Sequence, residues 1–272
     1  MIRLVVNADD LGLHPRIDEG IFRAHREGIV TSASLLVAGR TAPKAVRAAT
    51  EAGLSLGAHL CVTSHLTPSA PPSKVRWLAP GGRFRKDWSE FAAAWVAGLI
   101  PAEEVELELS VQVERAREQG ATIDHLDVHQ HVHLLPGLAR IVEALALRLS
   151  LPLRWPSELP RPTWLRRPSQ LAKTAVLSTL GLVRPPRGAR RVKAVGVFDS
   201  GGLTEARLIK LLGRLGDGDW ELMCHPGLAP GTVPEDPDWR YDWEAELAAL
   251  CSPRVRELIR RREITLVSYR AL

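Results

Sequence analysis

The sequence predicts an α/β fold, a closed or nearly closed (β/α) barrel of seven or eight mainly parallel strands, and three observations carry that prediction. Short, β-branched apolar runs alternate with segments of helical period along the whole chain, and such alternation demands a parallel sheet covered by helices. Seven or eight runs of strand length favour closure over an open sheet, and 272 residues is an ordinary length for one such barrel. Four of the runs end in polar, titratable residues, as strands do where a barrel carries its reactive groups.

In chain order, residues 2–6 form a short, β-branched run of the fully buried kind, followed by Ile17, Ile21, Phe22 and His25 at helical spacing until Gly28 stops the helix. Residues 29–37 read as a second strand, 42–52 as a helix ending at Gly53, and 54–62 as a third strand. Residues 63–85 are a long loop rich in Pro and Ser, of a length that often serves as a lid or binding loop. Helices follow at 87–99 and 102–119. Further strands are expected at 123–128, 151–155, 193–198, 220–224 and 264–269, with helical segments at 136–149, 204–215 and 241–262. Residues 156–191 break the rhythm: Pro-Arg clusters flank an apolar helix candidate at 171–182. The expectation is one barrel domain over 1–272 with an inserted basic arm.

The net charge of +5, from 36 basic and 31 acidic residues, is concentrated. Residues 154–191 hold nine basic side chains against Glu158 alone, a local +8, which leaves the rest of the chain at −3. That describes one basic segment rather than a nucleic-acid-binding surface, so no nucleic-acid partner is expected. The arm reads as a solvated surface insertion or as a contact for a membrane or anionic substrate. Cys61, Cys224 and Cys251 are odd in number and far apart, which argues for reduced, buried thiols and against disulfides or a CxxC zinc site. The longest nearly uncharged stretch, 91–102, contains Gly98 and Pro101 and falls short of the about 20 apolar residues a membrane span needs. Asp9 and Asp10 interrupt the place where a secretory leader would be apolar, so a cytoplasmic location is expected.

The candidate chemistry sits at the strand ends. Asp9 and Asp10 are adjacent carboxylates after a buried strand, costly unless a positive charge lies beside them; a divalent cation would supply it. His59 lies within an apolar strand, where a lone histidine is usually a hydrogen-bonded core residue. Asp127, His129, His131 and His133 alternate, so in a continuing strand they share one face at roughly 6.6 Å intervals. One ion could accept one or two of the histidines. The others, with Asp127 and Arg154, are candidates for orienting a ligand ring or binding substrate. Trp77, Trp88, Trp155 and Trp164 are candidates for sugar stacking or for packing.

Five motifs then carry a resemblance: Asn7-Ala8-Asp9-Asp10-Leu11-Gly12, the stretch from Gly28 to Ser34, Gly57-Ala58-His59-Leu60, the stretch from His125 to His133, and that from Glu221 to Gly227. In order and spacing they resemble those of the YdjC-like carbohydrate deacetylases. Ser252-Pro253-Arg254-Val255-Arg256 and the basic arm are similar to the branch associated with hopanoid biosynthesis. The resemblance implies an irregular barrel of glycoside hydrolase/deacetylase type, an acetylated amino sugar as substrate (free, oligomeric or lipid-linked) and a homodimer. It also implies one divalent metal, magnesium or another, held by Asp10, His59 and His129, with Asp9 as general base and His225 as acid. Two imidazoles and one carboxylate suit zinc, cobalt, manganese or iron. Leu11, His14 and Asp18 depart from the family pattern of Phe, Ser and Asn. The rival readings are a metal-dependent phosphoester hydrolase, whose arm would hold phosphate, and a non-catalytic nucleic-acid-binding protein. An aromatic content of 5% and the lack of a basic groove-reading helix argue against the latter.

Overall fold

A computed structural model describes residues 1–156, 190–229, 231, 233 and 241–272. The expected arm, its helix candidate and Trp164 lie outside the described residues, apart from the arm's two ends.

Strands β1 (Ile2–Leu11), β2 (Ser32–Leu35), β3 (Ser55–Leu60), β4 (Ile123–Val128), β5 (Leu153–Pro156), β6 (Arg191–Val195) and β7 (Gly218–Cys224) close into a barrel through the β1–β2 pairing. β8 (Ile264–Leu266) adds to β1 outside the ring. Every pairing is parallel. Helices α1 (Pro15–Glu27), α2 (Ala42–Ala52), α3 (Trp88–Val96), α4 (Ala102–Glu118), α5 (Leu138–Leu149), α6 (Glu205–Leu212), α7 (Trp243–Leu250) and α8 (Pro253–Arg261) complete the described elements.

Strand alternation divides the barrel wall into two environments. On β1, Leu4, Val6 and Ala8 belong to the large apolar core, whereas Val5 packs with Val192 and Tyr269 in a separate small cluster. Asn7, Asp9, His125, Asp127, Arg154 and Glu221, all buried, hydrogen-bond one another or common partners, so the second environment is largely polar.

Several boundaries differ from the sequence reading. β1 runs on to Leu11 because its far end pairs with β2 across an irregularity between Ala8 and Leu11. The 63–85 loop contains two short 3-10 turns and is tied to α4: Glu108 accepts from the Ser69 and Ala70 amides at 2.8 Å, and Gln112 bonds both the amide and the carbonyl of Cys61. The 241–262 segment is two helices, since Ser252 ends one and its hydroxyl caps the next by accepting from Arg254 N, with Pro253 at its first position. The last strand stops at Leu266 and gives way to a 3-10 turn at Tyr269–Ala271. His14 takes over a capping role usual for Ser, its Nδ1 accepting from Arg16 N at 3.2 Å. The three cysteines are free thiols.

Candidate active site

Six strands, β1 to β5 and β7, deliver the site, most of it near their carboxyl ends. Adjacent residues of a strand normally face opposite sides, yet Asp9 and Asp10 are both buried beside His and Arg groups. Between the paired positions Ala8–Ala33 and Leu11–Leu35, β1 has two residues, Asp9 and Asp10, where β2 has one, Ser34. The extra residue makes a bulge in which Asp10 adopts a left-handed φ of 67°, and this re-aims its side chain.

His59 pairs in register with Asp127 on the neighbouring strand. Its Nδ1 lies 2.6 Å from Asp127 Oδ1, while Nε2 lies 3.5 Å from Asp10 Oδ1. His129 comes next. Its Nδ1 is 3.3 Å from the same Asp10 oxygen and 3.0 Å from His59 Nε2, and its Nε2 meets Ser64 Oγ at 3.0 Å.

The expectation that Asp127, His129, His131 and His133 share one strand face is corrected here. β4 ends at Val128, and the chain turns through a 3-10 segment, His129–Leu134, with Gln130 and His131 at left-handed φ. The turn separates the histidines. His129 stays beside Asp10 and His59, while His133 packs edge-on against Trp155 at 5.5 Å between ring centres. Burial pushes the His133 pKa down to about 3. Its ring nitrogens have no hydrogen-bond partner among the described residues. His131 lies beside His133 at 6.2 Å. Trp77 is half exposed and Trp88 partly buried against the core.

Arg154, expected as an accessory residue, is fully buried at the centre of the polar interior. It donates to both oxygens of Asp9 at 2.6 Å, to Glu221 Oε1 through Nε at 2.7 Å, and approaches Asp127 Oδ2 at 2.8 Å. Asn7 Nδ2 adds a bond to Asp9 Oδ1 at 2.9 Å. Ser34 joins Asn7 to Asp127, and Glu221 accepts from the Tyr269 hydroxyl. His225 lies across Asp10, with Nε2 3.8 Å from Oδ2, its ring edge-on to Tyr241 and its amide anchored on Glu246.

The electrostatics suit a further cation. Three buried carboxylates, Asp9, Asp127 and Glu221, meet the guanidinium of Arg154, while the buried carboxylate of Asp10 is approached by His59, His129 and His225. Burial opposes ionisation of Asp10, yet His129 and His59 hold its carboxyl well below the usual carboxylate range. Burial lowers the basicity of His59, but Asp127 and Asp10 push its pKa up to about 10. Both Asp10 oxygens lack a conventional hydrogen-bond partner among the described residues.

The residues fit a divalent ion. Atoms that share one ion at about 2.1 Å, at right to tetrahedral angles, lie about 3.0–3.4 Å apart. The donors of Asp10, His59 and His129 are separated by 3.0, 3.3 and 3.5 Å, and these residues form one group able to hold a metal. Asp127 and Ser64 occupy the far nitrogens of the two rings, as supports of ligating histidines do. A second group, Asp9, His59 and Asp127, is filled differently: Arg154 Nη2 already touches both carboxylates.

Backbone strain concentrates in the same place. Asp10, Ser64, His65, Gln130 and His131 are five of the seven non-glycine residues with positive φ among the described residues, a conformation that costs about 1–3 kcal/mol each and collects at functional sites. Sequence reading did not single out Asn7, Ser34, Ser64, Glu221 or Tyr269. All but Ser64 and Tyr269 stand inside the quoted motifs, so the motif edges were the available signal.

The profile of the YdjC-like protein family matches residues 3–261. A protein named carbohydrate deacetylase from Geobacillus stearothermophilus is 31% identical over 98% of this chain and 96% of its own. One of the same name from Homo sapiens is 34% identical over 94% and 86%, and a chitooligosaccharide deacetylase from Escherichia fergusonii is 29% identical over 94% and 88%. A crystal structure from Enterococcus faecalis V583, named a "putative cellobiose-phosphate cleavage protein", is 26% identical with a TM-score of 0.78, covering 99% of this chain and 98% of that one. Among the described residues no helix is long and apolar enough to cross a membrane. The polar barrel interior, the order of its motifs and these matches lead to one identification: the chain belongs to the YdjC-like protein family.

Proposed function

We propose that this protein hydrolyses the N-acetyl group of an acetylated amino sugar, using a divalent cation held by Asp10, His59 and His129. The observation that carries the reading is the triangle of donors from these three buried residues, 3.0 to 3.5 Å on a side, with Asp127 and Ser64 on the far nitrogens. The names of the related carbohydrate and chitooligosaccharide deacetylases support the substrate class.

When bound, the cation supplies Lewis acidity, polarising an amide carbonyl and acidifying water. Asp9 is the general base. Its carboxylate is gripped by Arg154 and Asn7, so it is held in one orientation beside Asp10 and takes a proton from the attacking water without reorganising. His225 stands on the opposite side of Asp10. It delivers a proton to the amide nitrogen, a poor leaving group until protonated. The water oxygen joins the acetyl carbon, the C–N bond breaks, and acetate and the sugar amine leave.

The test is acetate release by metal-loaded protein from a panel of chito-oligosaccharides, acetylhexosamine phosphates and a lipid-linked acetylhexosamine, with phosphate release measured in parallel. Asp9→Asn is expected to keep its metal and lose hydrolysis, and Asp10→Ala to lose both. Phosphate release without acetate release, or full activity in either variant, would overturn the reading.

A further inference from the structure

Beneath the proposed metal ligands lies a set of buried groups that hydrolysis does not use directly: Glu221, Tyr269, His125 and Ser34. They are tied together by the segment that follows β8. Residues 267–272 cross the end of the barrel where the strands begin: Val267 N bonds Leu4 O, Arg3 reaches Ala271 O, Arg190 reaches Leu272 O, and Arg270 bonds Asp124 at 3.1 Å. From this crossing Tyr269 is buried in the small cluster with Val5 and Val192, and Val267 and Leu272 pack against it partly buried.

Tyr269 meets the interior at two points. Its hydroxyl donates to Glu221 Oε2, and Glu221 Oε1 accepts from Arg154, whose other nitrogens grip Asp9. Its ring stacks on His125 at 3.7 Å with an interplanar angle of 9°. His125 is also pressed by the backbone of β3, since a Cβ on Gly57 would lie 2.2 Å from His125 Nε2. Gly57 is therefore required by this close approach. His125 Nδ1 meets Asp124 Oδ1 at 2.8 Å, and Nε2 meets Ser34 Oγ at 3.3 Å. Ser34 donates to Asp127 Oδ2, and Asp127 Oδ1 holds His59 at 2.6 Å.

We propose that Tyr269 is a positioning residue that acts by two contacts, its hydroxyl through Glu221 and Arg154 on Asp9 and its ring through His125, Ser34 and Asp127 on His59, the two chains meeting again where Arg154 touches Asp127 and Asn7 bonds both Ser34 and Asp9. The inference deepens the hydrolase reading above and rests on it for the roles of Asp9 and His59. The physical basis is that a buried carboxylate keeps one orientation only if each of its oxygens is satisfied. Tyr269 satisfies the Glu221 oxygen that Arg154 leaves open, and its ring prevents His125 from tilting away from Ser34.

The two contacts of Tyr269, hydroxyl and ring, are distinguished by substitution. Tyr269→Phe removes the hydroxyl and keeps the ring, while Tyr269→Ala removes both. His125→Asn keeps a nitrogen at the Asp124 end only, and His125→Gln places one near Ser34. Affinity for Co²⁺ alone, titrated into the metal-free protein, reads the His59 chain. By analogy with supports of ligating histidines, His125→Asn and Tyr269→Ala should each weaken Co²⁺ binding about tenfold, with His125→Gln and Tyr269→Phe staying near wild type. Acetate release from diacetylchitobiose reads the Asp9 chain: Tyr269→Phe should lower kcat about tenfold with KM unchanged, as expected for loss of a contact that matters only in the transition state. Thermal unfolding is followed for all four variants. Equal Co²⁺ affinities in His125→Asn and His125→Gln, or an unchanged kcat in Tyr269→Phe, would overturn the proposal. A wild-type protein that binds Co²⁺ but releases acetate from no sugar would sink the hydrolase reading instead, and the four affinities would still decide for or against the His59 chain.

Discussion

Arg154 and Asp9, 145 residues apart in the chain, meet through two parallel hydrogen bonds of 2.6 Å. The guanidinium fork matches a carboxylate in geometry as well as charge. It also touches Asp127 and Glu221, so one side chain from β5 fixes carboxylates from three other strands.

Arg154→Met is therefore expected to leave three buried carboxylates without their counter-charge and to destabilise the fold by about 3–5 kcal/mol, measured by urea unfolding. Arg154→Lys restores charge without the fork. It should recover part of the stability and little of the hydrolysis, and full recovery of both would show that charge alone matters.

Asp127→Asn tests the support of His59. Loss of the carboxylate on Nδ1 should weaken divalent-metal binding by about 10–100-fold, read by competition with a chromophoric chelator. Ser64→Ala, which removes the hydroxyl on His129 Nε2, should act in the same direction. Metal affinities equal to wild type in both variants would refute the assignment of His59 and His129 as ligands.

Chelation has a thermodynamic signature apart from activity. A ligand that binds only the folded state at a hundredfold excess over its Kd stabilises it by about 2.7 kcal/mol. Calorimetry of dialysed protein should show the unfolding midpoint rise when Zn²⁺, Mn²⁺ or Mg²⁺ is returned, and the metal that raises it most identifies the preferred ion. Asp10→Ala should show no such rise.

Asp18 supplies a pH test away from the metal site. Burial pushes its carboxyl up to about 6, against the hydrogen bond it accepts from the Gly12 amide. A folded-state value above the unfolded one means the folded state binds the proton more tightly between about pH 4 and 6, so stability from this group falls as pH rises through that window. Above pH 6 the buried charge remains a cost of at most about 3 kcal/mol. Asp18→Asn should flatten the profile and gain stability at pH 8 relative to pH 4.5, as measured by urea unfolding at both; an unchanged pH slope would contradict the account.

Much of this architecture is legible in the sequence. Strand and helix alternate because apolar residues recur at spacings of two or of three and four, and that periodicity is local. The adjacent acids Asp9 and Asp10, the histidine in Gly57-Ala58-His59-Leu60 and the histidines after Asp127 mark themselves as costly groups at strand ends. Their order also carries the family resemblance, which assigned Asp10, His59 and His129 to one ion, and the barrel brings those three within 3.5 Å of one another.

What the sequence could not decide is which buried polar groups meet. Alternation puts neighbours such as Asp9 and Asp10 on opposite faces, and only the unequal pairing of β1 with β2 creates the bulge that turns Asp10 inward. Alternation likewise aligned His129, His131 and His133, whereas the turn after Val128 separates them. Nothing near Arg154 names Asp9 as its partner, and nothing near Tyr269 names Glu221. Local pattern reports that a side chain leaves water; closing the barrel decides which distant group then satisfies it, because inside a low-dielectric interior every charge and donor must find its partner among whatever the other strands bring.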